Sequence, residues 1–238
     1  MKLRTYIIYI ISIVLLGCSP HYHLDSSEHK VIGISTEKDS SISSIIAPYK
    51  QAIESQMNEV LSYNKKDLTK QKGNNLLARF VTDLSLEYAN ADICIMNNGG
   101  LRTIIHQGPI TRGKIFELMP FENELVMVEL DEKDFTSLLD YIAIRNGDIP
   151  FSGIEIKINE KKEVLSHNKN IDFSKGEKIK VLTSDYLANG GDKMKFLQNK
   201  QQIKIGIKVR DAIIDYCERT DTINMKLDSR IQIINEEE

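Results

Sequence analysis

Apolar residues recur at every third or fourth position in several stretches of the chain, a spacing typical of helices with one apolar face. The pattern predicts long helices over residues 42–61 and 76–88. Another helix is predicted through residue 144, starting behind Asp131, a residue type that caps helices. Shorter helices are predicted over residues 111–117, capped by Thr111, and around residues 209–219.

Short extended runs lie between these helices, and several alternate apolar and polar residues as half-buried strands do. Strands are predicted at residues 30–35, 91–96, 124–130, 154–158, 178–182 and 230–234. Because the elements mix without a regular parallel repeat, the predicted fold class is α+β, one domain with a mixed β-sheet packed by helices. We expect this domain to cover residues 30–238.

The N-terminal segment has the pattern of a targeting signal. Two basic residues precede an almost wholly apolar run over residues 6–16, which is too short to cross ~30 Å of hydrocarbon and is typical of a signal peptide. The run ends in Leu-Leu-Gly-Cys, which resembles a bacterial lipobox; an ordinary signal peptide with a chance cysteine is the alternative. We therefore predict a signal peptide over residues 1–17, then a lipidated Cys18 and a polar tether through residue 29. The expected location is the bacterial cell envelope, lipid-anchored after export, on the periplasmic side or at the cell surface.

Composition narrows the class of protein. The chain has 238 residues, 41% hydrophobic and 27% charged, which is ordinary globular usage. Its net charge of −3 argues against a nucleic-acid binder, because phosphate tracking needs a strongly basic surface. Three cysteines do not make a disulfide framework.

Candidate chemistry begins with a glycine-rich loop that directly follows a predicted buried strand. The stretch 97–102 reads Asn-Asn-Gly-Gly-Leu-Arg. Glycines there permit a left-handed backbone and close approach to a ligand, and Arg102 supplies a planar cation suited to phosphate or ribose oxygens. A plain turn with a surface arginine is the alternative.

Two further loops carry an aromatic ring each. Phe121 follows a proline, where a ring is either a plug in the core or a stacking platform at the surface. Tyr186 begins the stretch Tyr-Leu-Ala-Asn-Gly-Gly-Asp, in which Asp192 either caps a helix or accepts hydrogen bonds from ligand hydroxyls.

Four short patterns occur in order along the chain: Asn-x-Gly-Gly-x-Arg, Gly-x-Ile-Thr, Pro-Phe-x-Asn, and an aromatic followed by Leu-Ala-Asn-Gly-Gly-Asp. Together they resemble the C-terminal domain of the 5′-nucleotidase family, which includes bacterial UDP-sugar hydrolases, most clearly over residues 68–197. The resemblance implies a domain that holds the substrate while a separate metallophosphatase domain with two metals cleaves the phosphate.

The resemblance also implies roles for individual residues. Phe121 and Tyr186 are expected to hold the nucleobase between their rings, and Asp192 to bind the ribose hydroxyls. The loop backbone is expected to contribute at Gly99, Gly100, Gly190 and Gly191.

The polar part of the implied site departs from the family pattern. Arg102 is expected to bind phosphate or ribose oxygens, and Asn97 and Asn123 to lie at the base. Relatives carry one more arginine, whose position falls on or near Asp67 here. The substitutes that the sequence offers are Lys65, Lys66 and Lys70, which supply charge without a bidentate fork.

Metal-binding motifs of a two-metal hydrolase do not occur in the sequence. There is no Asp-x-His, Gly-Asn-His or Gly-His-x-His, and His106 fits a loop or a satisfied core position better than a metal ligand. We therefore expect no catalytic residue, metal or cofactor in this chain, and no hydrolysis by it alone.

The predicted function is the substrate-recognition component of a 5′-nucleotidase or UDP-sugar hydrolase-type enzyme in nucleotide catabolism. Its expected ligand is a nucleotide, nucleoside or nucleotide sugar, and divalent metals are expected on a separately encoded metallophosphatase. The alternatives are a nucleotide-binding surface lipoprotein without a catalytic partner, and a scaffold that binds no nucleotide.

Overall fold

A computed structural model describes residues 40–72 and 75–235. The predicted signal peptide, Cys18, the tether and the strand at residues 30–35 lie outside the described residues and stay predictions. Contacts divide the chain between Ile45 and Ile46. Residues 40–45, the described part of the first unit, are helical, and the other elements below belong to the second unit.

Six α-helices occur within these described ranges. They are α1 (Ser40–Met57), α2 (Leu76–Leu86), α3 (Arg112–Leu118), α4 (Glu132–Ile144), α5 (Asp185–Ala188) and α6 (Val209–Glu218). The predicted caps are confirmed, since Thr111 accepts a hydrogen bond from Lys114 N at 3.2 Å and Asp131 accepts one from Asp134 N at 3.0 Å. No helix among the described residues has the length and apolarity that crossing a membrane requires.

Eleven strands occur in the described part of the chain. They are β1 (Val60–Asn64), β2 (Ile93–Ile95), β3 (Gly108–Thr111), β4 (Glu124–Leu130), β5 (Phe151–Ser152), β6 (Ile156–Asn159), β7 (Val164–His167), β8 (Ile179–Ser184), β9 (Ile203–Lys208), β10 (Thr222–Ile223) and β11 (Ile231–Ile234). They form three sheets, in the orders β5-β2-β8-β4-β9, β10-β1-β3 and β11-β6-β7. Each sheet contains a parallel and an antiparallel pair, so the predicted α+β class with mixed pairing is confirmed, with the strands divided among three sheets.

The five-stranded sheet is covered on both faces. On one face, Cys94 packs in a buried cluster with apolar residues of α2 and α6. On the other, the neighbouring Ile93 and Ile95 pack with residues of α4. Burial on both faces explains why residues 93–96 read as a continuous apolar run rather than an alternating one.

The first predicted helix extends too far in sequence. It ends at Met57, and the apolar residues Val60 and Leu61, which continue its spacing, lie in β1. Their backbone pairs with β3, a contact that local periodicity does not encode. The apolar positions of α1 in the second unit, Ile46, Tyr49 and Ile53, are exposed by 51% to 71%.

Candidate functional site

The three predicted loops leave the five-stranded sheet at the same edge. Strands β4 and β8 are antiparallel, with Leu125 opposite Ser184, so the beginning of β4 lies beside the end of β8. Strand β2 runs parallel to β8, with Cys94 opposite Leu182, so the two strands end together. The strand ends that carry the three loops therefore lie side by side along one edge of the sheet. The loops are residues 97–102 after β2, 119–123 before β4 and 185–192 after β8.

One hydrogen bond joins the loop of Phe121 to that of Tyr186. Asn123 Nδ2 donates to Asp185 Oδ1 at 2.9 Å, and Asp185 directly precedes Tyr186 at the start of α5. Phe121 is 41% exposed and Tyr186 45% exposed. Phe121 is thus available at the surface, as the stacking interpretation requires. A plug in the core would be buried instead.

Tyr186 is held against the loop that carries Asp192. Its hydroxyl donates to Asp192 Oδ1 at 2.9 Å, and a Cβ at Gly191 would lie only 2.5 Å from Cε1 and Cζ of the ring. Asp192 has φ of +50°, uncommon for a residue with a side chain, and its carbonyl accepts a hydrogen bond from Tyr141 Oη at 3.0 Å. Asp192 lies inside a 3₁₀ turn, so it is not a helix cap. Its carboxylate is oriented by the tyrosine that shares its loop.

The two glycine pairs serve different purposes. Gly190 has a left-handed backbone, with φ of +89°. Gly99 and Gly100 do not, because they lie in a 3₁₀ turn with φ outside the left-handed range. A Cβ at Gly100 would lie 3.1 Å from Asn97 Oδ1, so the need there is close approach rather than backbone conformation.

The exposed guanidinium of Arg102 has no carboxylate partner among the described residues. Its Nη1 donates to Gly99 O at 3.3 Å, and its backbone N–H donates to Leu118 O at 2.8 Å. Lys70 Nζ donates to Leu101 O at 2.6 Å, which places a second cation beside the same loop. Of the lysines considered as substitutes for the missing arginine, Lys70 is the one with a hydrogen bond to this loop.

Asp67, at the position of the missing arginine, is tied to a different turn. Its Oδ1 accepts the Gln107 backbone N–H at 2.7 Å, and this bond lowers the pKa of the carboxyl. Exposed His106 lies 3.5 Å away, between its Nδ1 and Asp67 Oδ2. His106 is therefore a loop residue, one of the two positions expected for it.

A brace that the sequence analysis missed fixes the Phe121 loop to the start of α6. Glu122 binds both Lys208 and Arg210, and hydrogen bonds from these two cations lower the pKa of Glu122 to about 2. Val209 N donates to Asn123 O at 2.9 Å. Arg210 is almost fully buried. An arginine is rarely buried unless a carboxylate pairs with it, and here Glu122 supplies that carboxylate. No local pattern pairs residues so far apart in sequence.

A cavity of about 400 Å³ lies beside this edge of the sheet. Of the predicted substrate-binding residues, Asn97 and Asp192 line it, whereas Phe121, Asn123, Tyr186 and Arg102 do not. The predicted residues thus divide between the cavity wall and the loops outside it.

The described cysteines are buried and unpaired. Burial raises the pKa of the Cys94 thiol and raises that of Cys217 to about 12. Among residues 40–72 and 75–235, no group of three or more His, Cys, Asp or Glu side chains could hold a metal ion.

Comparison with known families gives one match. A model described as the 5′-nucleotidase C-terminal domain matches residues 53–199, which include all three loops.

Individual relatives are distant in sequence and longer than this chain. An apyrase of Tabanus yao is 26% identical over 162 residues, 59% of this chain and 29% of the relative. A 5′-nucleotidase of Vibrio parahaemolyticus is 24% identical over 201 residues, 79% of this chain and 35% of the relative. The chain thus spans about a third of the length of these curated relatives.

A similar fold occurs among solved structures. The crystal structure of a 5′-nucleotidase precursor from Thermus thermophilus aligns with a TM-score of 0.67 at 24% identity, covering 81% of this chain and 43% of that one. A putative 5′-nucleotidase from Staphylococcus aureus aligns with a TM-score of 0.66 at 12% identity, covering 87% of this chain and 46% of the other. At such identities the likeness concerns the fold.

Proposed function

Because the chain belongs to the family of 5′-nucleotidase C-terminal domains, we propose that it binds a nucleotide, nucleoside or nucleotide sugar for a phosphoester hydrolase. In this proposal it collects binding energy on the base and ribose, and a metallophosphatase on a separate chain supplies the two metals that cleave the phosphate. Holding the phosphate at those metals accelerates cleavage by proximity.

The observation that carries the proposal is the arrangement of the two exposed rings. Phe121 and Tyr186 leave the same edge of the sheet, and the bond from Asn123 to Asp185 ties their loops together. In the proposal these two exposed rings stack on the faces of a base, and stacking tolerates every base because each has a π-face. Asp192 is the proposed acceptor of hydrogen bonds from the ribose hydroxyls; its support is that the Tyr186 hydroxyl orients its carboxylate.

The expected energies are sufficient for a substrate-binding domain. Stacking on an aromatic side chain contributes about 1–3 kcal/mol per base. A hydrogen bond to a charged group such as Asp192 adds roughly 1.5–3 kcal/mol. Millimolar to micromolar affinity needs about 4–8 kcal/mol, so the two rings with one such contact reach that range.

Calorimetric titration of the purified protein with AMP, adenosine and UDP-glucose tests ligand binding. We expect Phe121→Ala to weaken binding by roughly five- to 150-fold, because it removes a stacking contact worth about 1–3 kcal/mol. Tyr63→Ala is the matched control, since Tyr63 is 56% exposed on β1, in a different sheet, and should bind as wild type does. If the wild-type protein binds none of the three ligands, the scaffold alternative is correct and the proposal is wrong.

A second experiment tests whether substrate binding and phosphate cleavage are divided between two chains. The protein is mixed with a metallophosphatase from the same organism and with Mg²⁺, Mn²⁺ or Zn²⁺, and hydrolysis of AMP or UDP-glucose is followed. A rate above that of the partner alone supports the two-chain enzyme, whereas an equal rate together with nucleotide binding supports a non-catalytic receptor.

The proposed location is the bacterial cell envelope, with the protein held by a lipid on Cys18. The support is the apolar run that ends in Leu-Leu-Gly-Cys. Substituting Cys18→Ala should move the protein from the membrane fraction to the soluble fraction; retention of the variant in the membrane would argue for another anchor.

A further inference from the structure

We propose that the cavity beside Asp192 is a phosphate-binding pocket, separate from the two aromatic rings. It is an open cavity lined by the C-terminal end of α4, the loop after β2 and the turn that contains Asp192. Its volume of about 400 Å³ falls within the range of about 300–1,000 Å³ typical of small-molecule sites. Its charged lining consists of Lys72, Arg145, Lys162, Asp148 and Asp192.

The three cations that line the cavity have no carboxylate partner among the described residues. Arg145 Nη1 donates to Tyr141 O at 3.1 Å, and its guanidinium lies 3.5 Å above the Tyr141 ring. Lys162 Nζ donates to Ile144 O at 3.0 Å. Lys72 has neither a hydrogen bond nor an ion pair with another described residue.

These contacts hold two of the cations in place without exhausting their donors. A guanidinium has five N–H groups and an ammonium three, so most donors of Arg145 and Lys162 remain for a ligand. The planar fork of an arginine matches two phosphate oxygens at once, and stacking on Tyr141 fixes its plane. This pocket is therefore better suited to phosphate than to a monatomic anion.

The remaining polar groups of the lining also favour an anionic ligand. The side-chain amides of Asn97 and Asn146 line the cavity and make no hydrogen bond to another described residue. Asp192 already accepts a hydrogen bond from Tyr186, which satisfies part of its charge. Three cations and two free amides thus face two carboxylates, one of them already partnered.

The pocket shares Asn97 and Asp192 with the proposed nucleotide site, but none of its three cations belongs to the loops of Phe121 and Tyr186, so their substitution tests the pocket by itself. Titration of the full chain with inorganic phosphate, and separately with ribose 5-phosphate, distinguishes free phosphate from a phosphorylated metabolite. We expect Arg145→Gln to weaken binding of at least one of the two by tenfold or more. Lys72→Gln should weaken phosphate binding too. Because Lys72 caps no helix, this variant is a second test in case Arg145→Gln misfolds.

One control variant locates the site. Lys157→Gln removes an exposed lysine of β6 and should bind phosphate within twofold of wild type. The proposal is overturned if wild type binds neither ligand at millimolar concentration, or if Arg145→Gln and Lys72→Gln both bind as wild type. Phe121→Ala separates the two proposals, because it should weaken AMP binding and leave phosphate binding unchanged.

Discussion

Replacing Gly191 by alanine tests whether the Tyr186 ring has the position described here. The new Cβ would lie 2.5 Å from Cε1 and Cζ of the ring and 2.7 Å from Cδ1. Carbon atoms are most stable about 3.5–4.0 Å apart, so the ring must move by roughly 1 Å. Such a movement also stretches the bond between the Tyr186 hydroxyl and Asp192 Oδ1, which is 2.9 Å long.

The size of the effect follows from the exposure of the ring. Overpacking in a closed core costs about 1–3 kcal/mol, and a hydrogen bond to a charged group contributes about 1.5–3 kcal/mol, less where solvent competes for it. Tyr186 is 45% exposed and has room to move toward solvent, so we expect a loss of about 1–2 kcal/mol in the free energy of unfolding. Nucleotide affinity should fall by about tenfold, because the stacking surface itself is displaced.

Urea unfolding and calorimetric titration with AMP measure these two quantities. Gly99→Ala is the matched control, since its Cβ would meet Asn97 Nδ2 at 3.4 Å, an ordinary contact, and should change stability by less than about 0.5 kcal/mol. In a Tyr186→Ala background the cost of Gly191→Ala should largely disappear, because the ring that it strikes is gone. If Gly191→Ala is as stable as Gly99→Ala, the ring does not lie against this glycine.

Three further predictions concern the supports of the site. The pKa of Glu122 is lowered from 4.5 to about 2, so its contacts with two cations stabilise the fold above about pH 4.5 and are lost as the pH falls toward 2. In urea unfolding, wild type should therefore lose more stability than Glu122→Gln between about pH 5 and pH 3, and equal losses would argue against the brace. A double-mutant cycle of Asn123→Ala and Asp185→Ala, read by urea unfolding, should give a coupling of about 1 kcal/mol; additive effects would mean that the loops are not joined. At alkaline pH a thiol reagent should modify Cys94 and Cys217 only after unfolding, as located by mass spectrometry, and rapid labelling of either in the folded protein would contradict their burial.

Much of the fold could be predicted because many elements have a strong local signal. Helix α4 starts behind its aspartate cap and ends at residue 144 as predicted, and β4 occupies residues 124–130 as predicted. Strands β1, β3, β5, β7, β9 and β10 were not predicted, and the first two residues of β1 were assigned to the preceding helix. Two of them are only two residues long, too short for a period to show, and their pairing depends on partners remote in sequence.

The candidate site, too, could be predicted only in part from the sequence. The ring positions Phe121 and Tyr186 could be proposed from the sequence because their motifs follow one another in a recognisable order. The partners that hold these loops were not found, because Asp185 and Arg210 gain their importance only from contacts with Asn123 and Glu122. A buried arginine that binds a surface carboxylate has no local signature.

The position of the two rings depends on the register of one pair of strands. Strands β4 and β8 pair over six residues, from Leu125 opposite Ser184 to Leu130 opposite Ile179. Because neighbouring side chains of this sheet belong to different buried clusters, a slip by one residue would exchange what each face packs against. The same slip would separate Asn123 from Asp185 and with them the loops of Phe121 and Tyr186. The core that fixes the register therefore also fixes the strand ends that carry the two loops, and substitutions far from the site that loosen this pairing should weaken the proposed nucleotide binding.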